Sequence, residues 1–145
     1  MSSTRVWESR VFPATADVVW THIRPADFKF WSAVKEATVE NGNPGEVGSI
    51  RKITFKDGTV QKYQLVELSD LHKSVTYEII ESNPPVPILA AVHTIRVKKI
   101  THDNSTLVEW ESDYSSSDNT VNVIEDSRFK KQEAFEDLHK AVAKK

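Results

Sequence analysis

The last stretch of the chain, about residues 118–144, contains neither glycine nor proline. Ser117 or Asp118 can cap it as a helix. Val123, Ile124, Ala134, Phe135, Leu138, Ala141 and Val142 fall on one stripe at the helical period. At ~1.5 Å per residue this helix is roughly 40 Å long, and its stripe has to be buried against the rest of the chain. Most of that remainder reads as strand. Residues 4–12 alternate with period two, and 34–40, 48–55, 59–68, 74–81, 88–100 and 106–115 continue as a meander. Lys56-Asp57-Gly58 is a hairpin signal, because Asp-Gly supplies the positive φ values of a tight turn. Asn41-Gly42-Asn43-Pro44-Gly45, Ser69-Asp70, Asn83-Pro84-Pro85-Val86-Pro87 and His102-Asp103-Asn104-Ser105 separate the other strands. Between the first two strands, Thr15 can cap a short helix from Ala16 that Pro25 closes. A second short helix is expected over Ala26 to Trp31, with Phe28, Phe30 and Trp31 as core plugs. The order is α+β: seven strands in one antiparallel sheet, two short helices after the first, and a long helix over one face.

Composition narrows the function classes. A chain of 145 residues is expected to form one domain spanning 1–145, with 39% hydrophobic and 28% charged residues. It holds no repeat and no linker-like tract. Zero cysteines exclude thiol catalysis, disulfides and thiolate metal sites, and agree with a reducing compartment. A formal net charge of −2 lacks the basic footprint of a nucleic-acid binder. The longest apolar run, Val86 to Val92, is far short of the ~18 residues of a membrane span. The first residues carry no apolar signal region. A cytoplasmic chain, monomeric or weakly homodimeric, is the expectation.

Several segments carry a resemblance in their order and spacing. These are Pro13-Ala14-Thr15-Ala16-Asp17-Val18-Val19-Trp20, Phe28-Lys29-Phe30-Trp31 and Asn43-Pro44-Gly45-Glu46-Val47-Gly48-Ser49-Ile50-Arg51. Leu65-Val66-Glu67-Leu68-Ser69-Asp70, Val75-Thr76-Tyr77-Glu78-Ile79-Ile80, Val108-Glu109-Trp110 and the terminal helix complete it. Over about residues 4–143 the chain resembles the START/Bet v 1-like superfamily (SRPBCC), in its polyketide cyclase/dehydrase-like branch. The resemblance implies a helix-grip fold, in which a curved sheet wraps the long helix and encloses a cavity for lipids, sterols, hormones or polyketide-like molecules. The superfamily includes carriers, receptors and a minority of enzymes, so the fold does not name a function. It is only distantly similar to the abscisic-acid receptors. Their gate motif Ser-Gly-Leu-Pro-Ala is replaced here by the tight turn Phe55-Lys56-Asp57-Gly58, and their His-Arg-Leu latch by Asn83-Pro84-Pro85-Val86-Pro87.

Individual residues point into the expected cavity. The loop 42–48 lacks the Lys-Ser/Thr of a phosphate loop and reads as a turn. None of the five histidines pairs with another at metal-ligand spacing. His93 alone shares parity with apolar neighbours, Leu89, Ala91, Ile95 and Val97. Glu109, Glu111 and Asp113 read as the solvent face of strand seven, which turns Trp110, Ser112 and Tyr114 inward. Lys131 interrupts the apolar stripe of the helix near Phe135. Lys62 shares parity with Val60, Gln64, Val66 and Leu68, the more apolar side of its strand, and Lys35 matches the receptor lysine that neutralises a ligand carboxylate. Each lysine could instead snorkel to solvent. If inward, they need a counter-charge: either Glu81, which shares parity with Tyr77 and Ile79, or the carboxylate of a ligand.

The leading expectation is a protein that binds or transports a small hydrophobic or amphipathic ligand. Its candidate ligand-binding residues are Lys35, Lys62, Tyr77, Glu81, Leu89, His93, Trp110, Ser112, Tyr114, Lys131 and Phe135. No cofactor, metal or fixed catalytic residue is implied. One alternative is a cyclase- or dehydrase-like enzyme with His93 or Glu81 as acid/base and Tyr77 or Tyr114 as orienter. The other is a protein-interaction module without a ligand.

Overall fold

The computed structural model describes residues 2–85, 90–116 and 120–143. The element order is β1 (Ser2–Phe12), α1 (Ala16–Ile23), β2 (Val34–Asn41), β3 (Ile50–Phe55), β4 (Val60–Ser69), β5 (Ser74–Asn83), β6 (Ala90–Ile100), β7 (Ser105–Ser116) and α2 (Thr120–Ala143). All seven strands join one antiparallel sheet in the order β1-β7-β6-β5-β4-β3-β2. Strands β2 to β7 are thus a simple meander, and β1 returns to pair with β7. This is the helix-grip arrangement.

Helix α1 starts where the sequence places it. Thr15 accepts from the Val18 backbone N–H, and Asp17 occupies the first turn. The helix buries Val19, Trp20 and Ile23. Asp70, in the β4–β5 turn, accepts from Trp20 Nε1 at 2.9 Å and from Arg24 Nε at 2.7 Å. Those bonds hold its carboxyl down at about 2 and fasten α1 to the sheet.

The second short helix does not form: residues 26–33 are turns. Ala26 and Phe28 both adopt left-handed backbone, with φ of 53° and 55°, which a right-handed helix cannot accommodate. The strain serves packing. Phe28 is driven into the core, stacked on Trp110 at 5.3 Å and edge-on to Tyr77 at 5.4 Å. Trp31 packs on Phe55, and its Nε1 donates to Glu133 on α2 at 2.8 Å. The Ser32 backbone N–H donates to Asp137 at 2.8 Å. The turn segment is therefore clamped to α2 by two carboxylates.

Helix α2 buries Ser127, Lys131, Ala134, Phe135, Leu138 and Val142, a stripe in steps of three and four. Phe135 sits edge-on to both Phe12 and Trp110, at 5.7 and 5.8 Å. Arg10 on β1 bonds Glu136 at 2.8 Å on the rim. On β6 and β7 the expected alternation holds: Ala91, His93, Ile95 and Val97 face in with Val108, Trp110, Ser112 and Tyr114. Outward, Arg96 and Lys98 pair with Glu111 and Glu109.

Four register shifts interrupt the alternation elsewhere, and three of them bear on the candidate site residues. Val34 pairs with Phe55 and Glu36 with Thr54, leaving Lys35 as the extra residue. Lys62 pairs with Glu81 but Tyr63 with Ile79, so Ile80 is extra. Leu65 pairs with Tyr77 and Glu67 with Thr76, so Val66 is extra. At each step the strand's side chains exchange faces.

Leu138 is fully buried and Lys131 nearly so. Leu138→Ala is expected to cost about 2–5 kcal/mol in urea unfolding. Lys131→Ala should cost less, since it loses stem packing but relieves a desolvated ammonium. A larger loss for Lys131→Ala would contradict this packing hierarchy.

Candidate functional site

A cavity of about 650 Å³ lies between the concave face of the sheet and the first half of α2. Its exposed lining comes from the β3–β4 turn, with Lys56 and Asp57, and from Asn122, Asp126, Phe129 and Lys130 on α2. Its interior is aromatic, built by Trp31, Phe55, Tyr63, Tyr77 and Trp110, with Ile79 beside them. Sheet register creates the floor. Leu65, Tyr77, His93, Ser112 and Val6 stand in one row across five strands, each opposite the next. Tyr77 and His93 stack at 4.8 Å, and Tyr77 stacks in turn on Tyr63 at 5.0 Å.

Lys131 comes down on this row from α2. Its Nζ donates to Ser112 Oγ at 2.6 Å and to Ser127 Oγ at 2.7 Å, and lies 5.2 Å from the Trp110 ring centroid. The Ser112 hydroxyl also bonds His93 Nδ1, and the Ser127 hydroxyl bonds the Tyr114 hydroxyl at 2.9 Å. A continuous chain therefore runs His93–Ser112–Lys131–Ser127–Tyr114. The residues of Lys131 and His93 are only 3% and 5% exposed. Desolvation lowers Lys131 to about 7 and, helped by the nearby ammonium, lowers His93 to about 3. His93 is thus a neutral imidazole at neutral pH. Burial raises the phenols of Tyr63, Tyr77 and Tyr114, which stay protonated.

The structure brings Tyr77, His93, Trp110, Ser112, Tyr114 and Lys131 together around the cavity. Phe135 lies in the core behind Trp110. Leu89 lies outside the described residues. Three expectations are corrected. Lys35 is exposed, because the β2 bulge falls on it. Lys62 lies on the outer face beside Glu40 at 3.1 Å and Glu81 at 3.9 Å, since Leu68, which set its assumed parity, stands beyond the Val66 bulge. Glu81 is exposed as well, because the bulge at Ile80 cuts it off from the Tyr77–Ile79 face.

Other residues went unnoticed in the sequence. Ser127 sits four residues before Lys131, a polar step inside the stripe that helical spacing alone exposes. Gln61 and Tyr63 face inward once the bulges are counted, and Gln61 accepts from the Tyr63 hydroxyl at 3.0 Å. Arg51, 1% exposed, donates to the Pro44 carbonyl at 2.8 Å and to Ser49 Oγ at 3.0 Å. It pins the loop before β3 and does not line the cavity. Among the described residues no group of three or more His, Asp or Glu could hold a metal ion.

Lys131 has a pH consequence with a definite sign. Between about 7 and the 10.5 of an ordinary lysine, the unfolded chain binds a proton that the folded chain lacks. This group therefore makes stability rise with pH across that window. Urea unfolding from about pH 6.5 to about pH 9.5 should show wild type gaining stability relative to Lys131→Met. A difference independent of pH would mean that Lys131 titrates normally.

Comparison with known proteins agrees with the geometry. Residues 3–142 match the family described as polyketide cyclase / dehydrase and lipid transport. No curated protein matches the chain significantly. Among solved structures, a protein from Nitrosospira multiformis is 25% identical, with a TM-score of 0.84 and 96% of each chain covered. The protein XoxI from Bacillus cereus is 21% identical, with a TM-score of 0.82, 99% of this chain covered and 97% of that one. Ginseng major latex-like protein 151 from Panax ginseng is 16% identical, with a TM-score of 0.81 and 97% of each chain covered. The last two likenesses speak to fold alone. On the match across nearly its whole length, the chain belongs to the polyketide cyclase/dehydrase and lipid transport family, with the helix-grip fold that its START/Bet v 1-like resemblance implies.

Proposed function

We propose that this protein binds and carries a small amphipathic molecule in the cavity between sheet and α2. The ligand's apolar body packs on the aromatic wall, and its polar end meets the Lys131–Ser112–His93 chain. The observation that carries this reading is the pairing of a 650 Å³ aromatic cavity with the buried Lys131–Ser112–His93 chain on its floor. Small-molecule sites commonly fall at about 300–1,000 Å³ and combine apolar walls with a few placed polar groups. The family's description, which includes lipid transport, supports it.

The two acid/base candidates named from the sequence, His93 and Glu81, do not support turnover. His93 is held near 3 and is a weak base, while Glu81 stands outside the cavity. A carrier releases its ligand chemically unchanged.

Native mass spectrometry of the purified protein is expected to show a bound small molecule, released intact on denaturation. Ile79→Trp adds bulk to a half-buried lining position. It should lower occupancy by roughly tenfold or more while cooperative unfolding persists. Equal occupancy in wild type and Ile79→Trp would place the ligand elsewhere, and conversion of the ligand to a product would make the protein an enzyme.

A further inference from the structure

The donors on the cavity floor outnumber its acceptors. A lysine ammonium has three N–H groups, and two of them on Lys131 go to Ser112 and Ser127. Ser112, which accepts from Lys131, can give its own proton to His93 Nδ1, and in that tautomer the ring proton is on Nε2. That Nε2 is buried without a hydrogen-bond partner, and so is Trp110 Nε1. The Tyr77 hydroxyl lies near the indole nitrogen without reaching hydrogen-bond geometry. Both residues line the cavity. Buried donors without acceptors are unusual in a folded protein. Here both residues neighbour a cation: Lys131 Nζ lies 5.2 Å from the Trp110 ring centroid and shares Ser112 with His93.

Charge limits what can complete them. Among the described residues no carboxylate lies within 4 Å of Lys131. The other charged groups acting on it do so from a distance: Glu8 on β1, and Asp126 and Lys130 on α2. The remaining titratable neighbours, His93 and Tyr114, are neutral. One cation with neutral donors around it matches a monoanion with two acceptor oxygens, whereas a dianion would leave one buried charge uncompensated.

We propose that the floor of the cavity is a carboxylate site, built on Lys131 with His93 Nε2 and Trp110 Nε1 as further donors. This rests on the binding reading above and specifies the ligand's polar end. The lysine comes from the helix, so the site does not depend on Lys35 or Lys62. Its occupation is coupled to a proton. A bound carboxylate favours the charged ammonium, and free Lys131 loses its proton near neutrality. Above that pH, ligand and proton bind together.

The test uses full-length wild-type protein with decanoate, methyl decanoate and decanol, and with 2-naphthoate and its methyl ester. Isothermal titration calorimetry should find at least one acid bound about tenfold or more tightly than its ester. Which acid wins distinguishes a fatty-chain ligand from an aromatic one. In buffers of differing ionisation enthalpy at about pH 8, binding of the acid should take up close to one proton, falling toward zero at about pH 6. Lys131→Met should bring acid and ester to equal affinity with ester binding retained. Equal affinities in wild type, or no proton uptake at about pH 8, would overturn the carboxylate site and leave the carrier reading intact. Failure of every acid, ester and alcohol to bind would instead overturn the carrier reading, and this inference with it.

Discussion

One helix cannot cover the concave face of a seven-stranded sheet. Helix α2, with 24 residues, is roughly 36 Å long at ~1.5 Å per residue, and its buried stripe is about one side chain wide. The rest of the concave face must be filled by something else or stay open. Phe28 fills the middle, and the left-handed backbone at Ala26 and Phe28 is what delivers it there. Its ring touches Tyr63, Tyr77 and Trp110, all within 6 Å. Such aromatic pairs contribute about 0.5–1.5 kcal/mol each beyond area burial, comparable with the ~1–3 kcal/mol of a sparsely populated backbone conformation. The cavity is the part of the face that neither Phe28 nor α2 reaches.

That geometry explains why a lysine can stand in the apolar stripe. A buried ammonium without a counter-ion is costly, and only side chains beside an open space can be tuned by what enters it. Ser112 and Ser127 satisfy two of the lysine's donors without neutralising its charge. The same burial that weakens the ammonium also makes it sensitive to an anion brought within reach. The stability of the fold and the charge presented to the cavity thus draw on one group.

The element order was legible because it depends on local signals: Thr15 as a cap, Pro25 as a stop, Asp57-Gly58 as a turn, and an uninterrupted helical period at the end. The inward residues of β6 and β7 were legible as well, because those two strands pair through eleven successive positions without a shift. Lys62 and Glu81 were misplaced because parity was extrapolated across bulges, and Lys35 because a positional match to the receptor lysine does not register the bulge in β2. An extra residue leaves no mark on composition or period in a single sequence. The turns at residues 26–33 were hidden differently. Ala26, Asp27 and Lys29 suit a helix, and only the tertiary pull on Phe28 overrides them. Ser127 was overlooked because a stripe was read as apolar residues only, while a cavity-facing helix carries polar steps on the same face.

The bulges also decide where the chain can change its length. Ile80 and Lys35 are exposed, and each stands as the extra residue of its strand, without a place in the ladder. Deletion of Ile80 would leave Tyr63 opposite Ile79 and Lys62 opposite Glu81, with Glu81 still outward and Ser82 still beside Gln61. Deletion of Lys35 would likewise leave Val34 opposite Phe55 and Glu36 opposite Thr54, with Ala37 still in the core. The regularly paired stretch Ala90–Ile100 has no such slack, because loss of one residue there turns every side chain beyond it to the other face. Relatives of this chain can therefore lack a residue at either bulge and keep the interior, whereas a gap of one residue inside β6 would report a remodelled one.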